Sequence, residues 1–253
     1  VDFDGGWDCR ARLVDGCWIE RTPRRPEVAN QLRREAALMP WLAPRLPLRV
    51  PEPKVVSNAL LVLRHELVPG VPLTVLDATA GRALGMFLRA LHGCPVTEAI
   101  ERGLPAAADT IAERGDTLKR FRADVVPLLP KARAASALAL LDSVLSYPAD
   151  TIVHGDLGPE HVLTTGDGPT GVIDFGDLGC DDAALDLAWA LHGTPAAFAE
   201  ALASTYGVTA DQRDRALSWH QMGPWHEVTH GLDTGDSDSI RLGLIGVLDR
   251  ITP

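Results

Sequence analysis

Four residues able to do chemistry lie within 21 positions: His154, Asp156 and His161 in "VHGDLGPEHVL", and Asp174 in "VIDFGD". Three kinds of chemistry compete for them. All four are acceptable zinc or manganese ligands, so a metal-dependent hydrolase is one reading. Phosphoryl transfer is another. It needs a carboxylate to meet an acceptor hydroxyl and metal ions on the phosphates, but little covalent help. Asp156 suits the first task, and His161 with Asp174 could grip a metal from two loops. A carboxylate is natural for Mg²⁺ and a histidine less so. The third reading is an ordinary loop ordered by His154, with Asp156 as a turn residue. That explains a single HxD better than it explains the whole constellation. The hydrolase reading lacks further ligands, since His65, His92, His192, His220, His226 and His230 form no ligand motif.

Two kinds of element must position these loops. "RARLVDGCWIER" reads as a hairpin about Asp15-Gly16. "PEVANQLRREAALMPWLA" reads as a helix, with Pro26 in the first turn and Val28, Leu32, Leu38 and Leu42 near helical spacing. Strands are expected around Val50–Val56 and Leu60–Glu66, then a breaker-rich linker, "LVPGVPLT". Beyond it the pattern is helical. Thr79 is expected to cap a helix carrying Leu84, Phe87, Leu88 and Leu91, and "RAASALALLDSVLS" is a second helix. Short strands "TIV", "HVL" and "GVI" flank the reactive loops. Helices resume over 182–191, 195–206, 211–220 and 237–248. The fold class is therefore α+β with two lobes: a β-rich lobe over 1–66, a linker over 67–74 and a helical lobe over 75–253.

Of the 253 residues 46% are hydrophobic and 23% charged, the balance of a packed globular protein. No apolar run is long enough for a bilayer, and "VDFDGGWDCR" lacks the features of a signal peptide. Cys9, Cys17, Cys94 and Cys180 are scattered without a CxxC pair. The expectation is a cytoplasmic protein with free thiols, a monomer or weak dimer, with no membrane partner. The formal charge of −10 argues against nucleic acid. From Asp150 onward there are 17 acids, four arginines and no lysine, a balance of −13, while residues 1–149 carry +3. An acidic lobe facing a substrate attracts cations. A solvated acidic surface is the plainer alternative.

"HGDLGPEHVL" followed by "GVIDFGD" resembles the paired motifs of the aminoglycoside and macrolide phosphotransferases, antibiotic kinases with a protein-kinase-like fold. "GGWDCRARLVDGCWIERTPRR" is similar to their nucleotide loop and strands, "LRREAALMPWLAPRLPLRVPEP" to their glutamate-bearing helix, and "HELVPGVPL" to their hinge. "DDAALDLAWAL" and "HEVTHGLDTGD" resemble later stretches. The resemblance implies an O-phosphotransferase using ATP or GTP with Mg²⁺. Asp156 would face the acceptor hydroxyl, His154 would order the loop, and His161 and Asp174 would hold the metal. Glu35 would pair with the phosphate-holding cation, Gly6 and Asp8 would lie over the phosphates, and His65, Glu66 and Leu67 would present backbone groups to the base. Two positions depart from the pattern. His161 stands where Asn is usual, as in macrolide and some aminoglycoside kinases. Arg21 stands in place of the usual Lys, and the two are not equivalent.

Together these observations lead to the expectation of a kinase that confers antibiotic resistance by modifying a cationic acceptor, an aminoglycoside or basic peptide antibiotic. Asp177, Asp181, Glu227 and Asp233 are its candidate contacts, and Asp186 is expected to brace the helix after the metal loop. A macrolide kinase, a choline- or homoserine-type metabolite kinase, a metal-dependent hydrolase and a non-catalytic kinase-like module are the alternatives.

Overall fold

The computed structural model describes residues 2–3, 8–166 and 168–251. Five antiparallel strands make the first lobe: β1 (Asp2–Phe3), β2 (Cys9–Val14), β3 (Trp18–Pro23), β4 (Lys54–Ser57) and β5 (Val62–Glu66), in the order β1-β2-β3-β5-β4. The β2–β3 hairpin turns at Asp15 and Gly16, both with positive φ (51° and 70°), as a two-residue turn of this kind demands. Helix α1 (Val28–Leu42) packs on the sheet through Val28 and Leu32, which meet Cys9, Leu61 and Leu63 in a small core. Val50–Pro53 remain outside the sheet, because the prolines at 51 and 53 cannot donate to a ladder.

The linker is more ordered than its composition suggests. Val71–Pro72 form β6, which pairs with β8 (Val162–Thr164), and β8 pairs in turn with β9 (Pro169–Val172). A second small ladder joins β7 (Thr151–Val153) to β10 (Gly179–Asp181). These short strands hold the two reactive loops, 154–161 between β7 and β8 and 173–178 between β9 and β10.

Helices surround them: α2 (Ala78–His92), α3 (Val96–Ile100), α4 (Ala107–Arg120), α5 (Lys131–Leu145), α6 (Ala184–His192), α7 (Ala196–Tyr206), α8 (Ala210–Thr234) and α9 (Ser237–Arg250). Helix α2 is capped by Asp77, which accepts from the amides of Thr79 and Ala80 at 2.8 and 2.9 Å, and not by Thr79. The largest apolar core joins α1, α2, α6 and α7 beneath the reactive loops. Another joins α4, α5, α8 and α9 through Phe121, Leu141, Trp225 and Val247.

Two helices differ from the sequence expectation. No helix is expected from the sequence over α4, because the stretch is mostly polar and only Arg114 and Leu118 of its residues are buried. Helix α8 continues 14 residues past His220, straight through Pro224. Proline has no amide to give the carbonyl four residues earlier. That carbonyl, on His220, accepts instead from Arg250 Nη1 of α9 at 2.7 Å. No helix among the described residues is long and apolar enough to cross a membrane.

Candidate active site

The loop after β7 is held by its backbone. Asp186 of α6 is buried, and its two oxygens accept from the amides of His154 (2.7 Å) and Gly155 (3.0 Å). Burial works against the Asp186 charge. Hydrogen bonds from His92 and from these amides outweigh it and hold the carboxyl below its ordinary value. His92 Nε2 lies 3.0 Å from the same carboxylate, and Tyr206 OH lies 2.8 Å from His92 Nδ1. Nε2–H of His92 donates to Asp186, and the other ring nitrogen is engaged by Tyr206 OH. Asp186 therefore holds the reactive loop itself, as well as belonging to the helix that follows it. Gly155 must be glycine here. Its φ is 88°, and a Cβ would fall 2.3 Å from the Asp177 carbonyl oxygen.

His154 is fully buried against Phe175, with ring centroids 4.7 Å apart. Its Nε2–H donates to the Ile173 carbonyl at 2.9 Å, and its Nδ1 accepts from the Asp156 amide at 3.3 Å. Burial keeps the ring neutral by lowering its pKa. One imidazole thus ties the two loops together and aims Asp156, whose side chain stays 62% exposed.

His161 Nδ1–H donates to the Asp156 carbonyl at 2.7 Å, which leaves a lone pair on Nε2. That Nε2 lies 3.9 Å from Asp174 Oδ2. Asp174 has a φ of 64°, a conformation that aspartate tolerates better than most residues, and its side chain is half exposed. Two facing ligands do not make a metal cage. They do fit Mg²⁺, which commonly takes one or two protein ligands and completes its shell with water and substrate phosphates. Among the described residues no group of three or more His, Cys, Asp or Glu could hold an ion by itself, which argues against the hydrolase alternative.

The first lobe brings Arg21 of β3 to this point. Its Nη1 lies 2.8 Å from both oxygens of Glu35 on α1, and its Nη2 lies 3.3 Å from Asp174 Oδ1. Burial raises the Glu35 carboxyl, and Arg21 opposes the rise. The Arg21 guanidinium stays charged throughout the physiological range and favours the ionised form of Glu35. From the same helix Gln31 Nε2 donates to the Gly176 carbonyl at 2.6 Å. Helix α1 is thereby docked onto the metal loop at two points. Asp8 is ion-paired with Arg25, and Gly6 lies outside the described residues. At the hinge His65 is buried, with Nδ1–H on the Glu66 carbonyl (2.8 Å), and the Leu67 amide donates to the Cys17 carbonyl (2.8 Å). The Leu67 amide is thus already engaged, which leaves the hinge fewer free groups than expected.

A cleft of about 930 Å³ opens beside Asp156, between α1 on one side and α4, α6, α8 and α9 on the other. Of the four expected acceptor contacts, Asp177 and Asp181 line it and Glu227 and Asp233 do not. Asp233 is exposed and paired with Arg120 (2.6 Å), and Glu227 is a half-buried residue of α8. Asp181 is bonded to the buried Arg114, which also donates to the carbonyls of Tyr147 and Pro148 at 2.6 and 3.0 Å. Asp177 has no such partner among the described residues. It reaches water, yet protein crowds it on most sides, and Asp156, Asp174 and Asp8 are close. Desolvation first, and these carboxylates second, push it up to about 6. The −13 of this lobe is therefore spread mostly over its outer surface. Residues absent from the sequence reading complete the cleft: Glu113, Phe121, Trp219, His226 and Arg250. The helical period of α8 could have indicated Trp219 and His226, and the Gly223-Pro224 pair obscured it.

Solved structures share this architecture. The GDP and kanamycin complex of APH(2″)-IIIa superposes with a TM-score of 0.86 at 24% identity, covering 99% of this chain and 92% of that one. The macrolide 2′-phosphotransferase MphH from Brachybacterium faecium gives 0.75 at 23%, covering 97% and 90%. The streptomycin–ATP ternary complex of APH(2″)-IIa gives 0.71 at 17%, covering 98% and 90%. The fold is thus kinase-like. A search of curated protein sequences gave no match. The model of the phosphotransferase enzyme family matches residues 2–221, and the chain belongs to that family.

Proposed function

We propose that this phosphotransferase moves the γ-phosphoryl group of ATP or GTP to a hydroxyl of a small, amine-bearing acceptor, an antibiotic of the aminoglycoside or basic-peptide kind, and so confers resistance. One observation carries the choice of a cationic acceptor. Asp177 lines the cleft near Asp156 with no ion-pair partner among the described residues, in surroundings that disfavour its charge. An ammonium group there would relieve that cost.

In the proposed reaction Asp156 accepts a hydrogen bond from the acceptor hydroxyl and receives its proton as the oxygen attacks the γ-phosphorus. The bond from phosphorus to the β–γ bridging oxygen breaks, and the nucleoside diphosphate leaves. Arg21 steadies the phosphates from the first lobe. Asp174 and His161 would hold Mg²⁺, which would supply neutralisation of the phosphate charge. Asp186 and His154 keep Asp156 at its station.

A second reading, a macrolide-like acceptor with a single amine, is favoured by the apolar wall of Phe121, Trp219 and Met222. A coupled assay of nucleoside diphosphate release against aminoglycosides, basic peptides, macrolides and hydroxylated metabolites tests both. Turnover confined to amine-bearing acceptors is expected. Turnover confined to uncharged sugars would overturn the assignment of Asp177.

A further inference from the structure

The inner end of the cleft is acidic, and its far wall is not. Three arginines line the cleft. Arg114 is neutralised by Asp181, and Arg34 belongs to α1 on the opposite side. Arg250, at the end of α9, has no carboxylate partner among the described residues, and burial alone shifts it, downward. Its position follows from Pro224. The His220 carbonyl left without an intrahelical donor takes Arg250 Nη1, while Nε and Nη2 of the fork are not used in this contact. Gly246 allows the approach of α9, since a Cβ there would lie 2.9 Å from Pro224 Cβ. Gly223 keeps the space before the guanidinium open, where a Cβ would lie 3.2 Å from Nη1.

The wall around Arg250 is fixed. Trp219 Nε1 donates to the buried Asp182 at 3.0 Å, and Asp182 is also held by Arg215 at 2.9 Å. His220 is held neutral, with burial and then Arg250 and His192 pushing it down to about 4. The far wall therefore presents one guanidinium in a rigid, aromatic and otherwise uncharged setting. Arg250 is exposed to the cleft, and its guanidinium, held at Nη1 by the His220 carbonyl, is oriented and accessible to an anion.

Building on the reading of this cleft as the acceptor site, we infer that the acceptor carries a carboxylate, received by Arg250 at the far wall. Such an acceptor is dipolar, with its amine toward Asp177 and its acid toward α9. A carboxylate fits better than a phosphate ester. It matches one planar fork, whereas a dianion calls for a second cation that the wall lacks. Within the proposed classes this favours a peptide-like acceptor over a purely polycationic aminoglycoside.

The test is a calorimetric titration with matched pairs: hydroxylated amino acids, amino-sugar acids and short basic peptides, each beside its carboxamide. At least one acid should bind the wild type about tenfold more tightly than its amide, the scale of one charge-assisted pair. That ratio should fall to one in Arg250→Gln and be kept in part by Arg250→Lys, which retains charge and a donor for the His220 carbonyl. If no acid is preferred in the wild type, or if the preference survives in Arg250→Gln, the inference fails. Thermal stabilisation by Mg-nucleotide in the same samples tests the kinase reading separately. Its absence alongside an intact acid preference would remove that reading and leave this one standing.

Discussion

On the nucleotide side of the cleft the charges are already matched. Arg21 grips Glu35 with both oxygens at 2.8 Å and reaches Asp174 at 3.3 Å. On the proposed acceptor side, among the described residues, Asp177 has no ion-pair partner and Arg250 no carboxylate, while the His161 ring lies 3.8 Å from Asp156. One side is organised before its ligand arrives, whereas the other depends on the ligand to complete it. Common phosphate chemistry can be met by a fixed cradle. A particular acceptor is better recognised by charges that stay unfavourable until the right molecule neutralises them.

The strongest way to separate the two sides is Asp156→Asn. It should lower turnover by ~10²–10⁴-fold, the usual worth of a positioned base, and leave Mg-nucleotide affinity intact. Near-normal turnover would remove Asp156 from the reaction. Arg21→Ala should break the organised side. Losing one partner of a buried pair costs about 3–5 kcal/mol, visible in denaturant titration. The stranded Glu35 already has a raised pKa, so it would take up a proton as pH falls. The penalty should be fullest at high pH and shrink toward acid, and a pH-independent penalty would mean that the pair is not ionic.

Asp177→Asn should act in the opposite direction. The folded pKa of about 6 exceeds the ordinary 3.8, so the wild type loses stability as pH rises through that interval. The variant avoids this loss. It should melt higher at pH 7–8, with the advantage fading below 6 and gone below about 4. Cleft water screens the group, so the gain should stay within ~1 kcal/mol. The same variant should raise the acceptor KM. A lower melting point at pH 8 would show that Asp177 is already neutralised. The smallest effect is expected from the double variant Glu227→Gln, Asp233→Asn. Neither residue lines the cleft, and KM and its salt dependence should not move.

The hairpin and the loops carrying Asp156 and Asp174 were legible in the sequence, because their constraints are local. The hairpin at Asp15-Gly16 and the two reactive loops are short motifs, and each declares its geometry through residue type. The far wall was not legible. Helix α4 contributes Arg114 and Leu118 from a mostly polar stretch, so no set of apolar residues announces it. Gly223-Pro224 reads as a helix stop, yet α8 continues, because tertiary packing and an arginine from another helix replace the missing bond. Net charge was equally silent about position. It gave the −13 of the second lobe, but whether Asp177 or Asp233 faces the acceptor depends on which helix face turns inward.

The bond from Arg250 to the His220 carbonyl has a practical corollary. It makes the last turn of α9 part of the wall of the cleft, so changes at residue 250 should act at the proposed acceptor site. Affinity tags, fusions or truncations placed there would alter acceptor range before they altered folding, and libraries built to change acceptor range could begin at that turn.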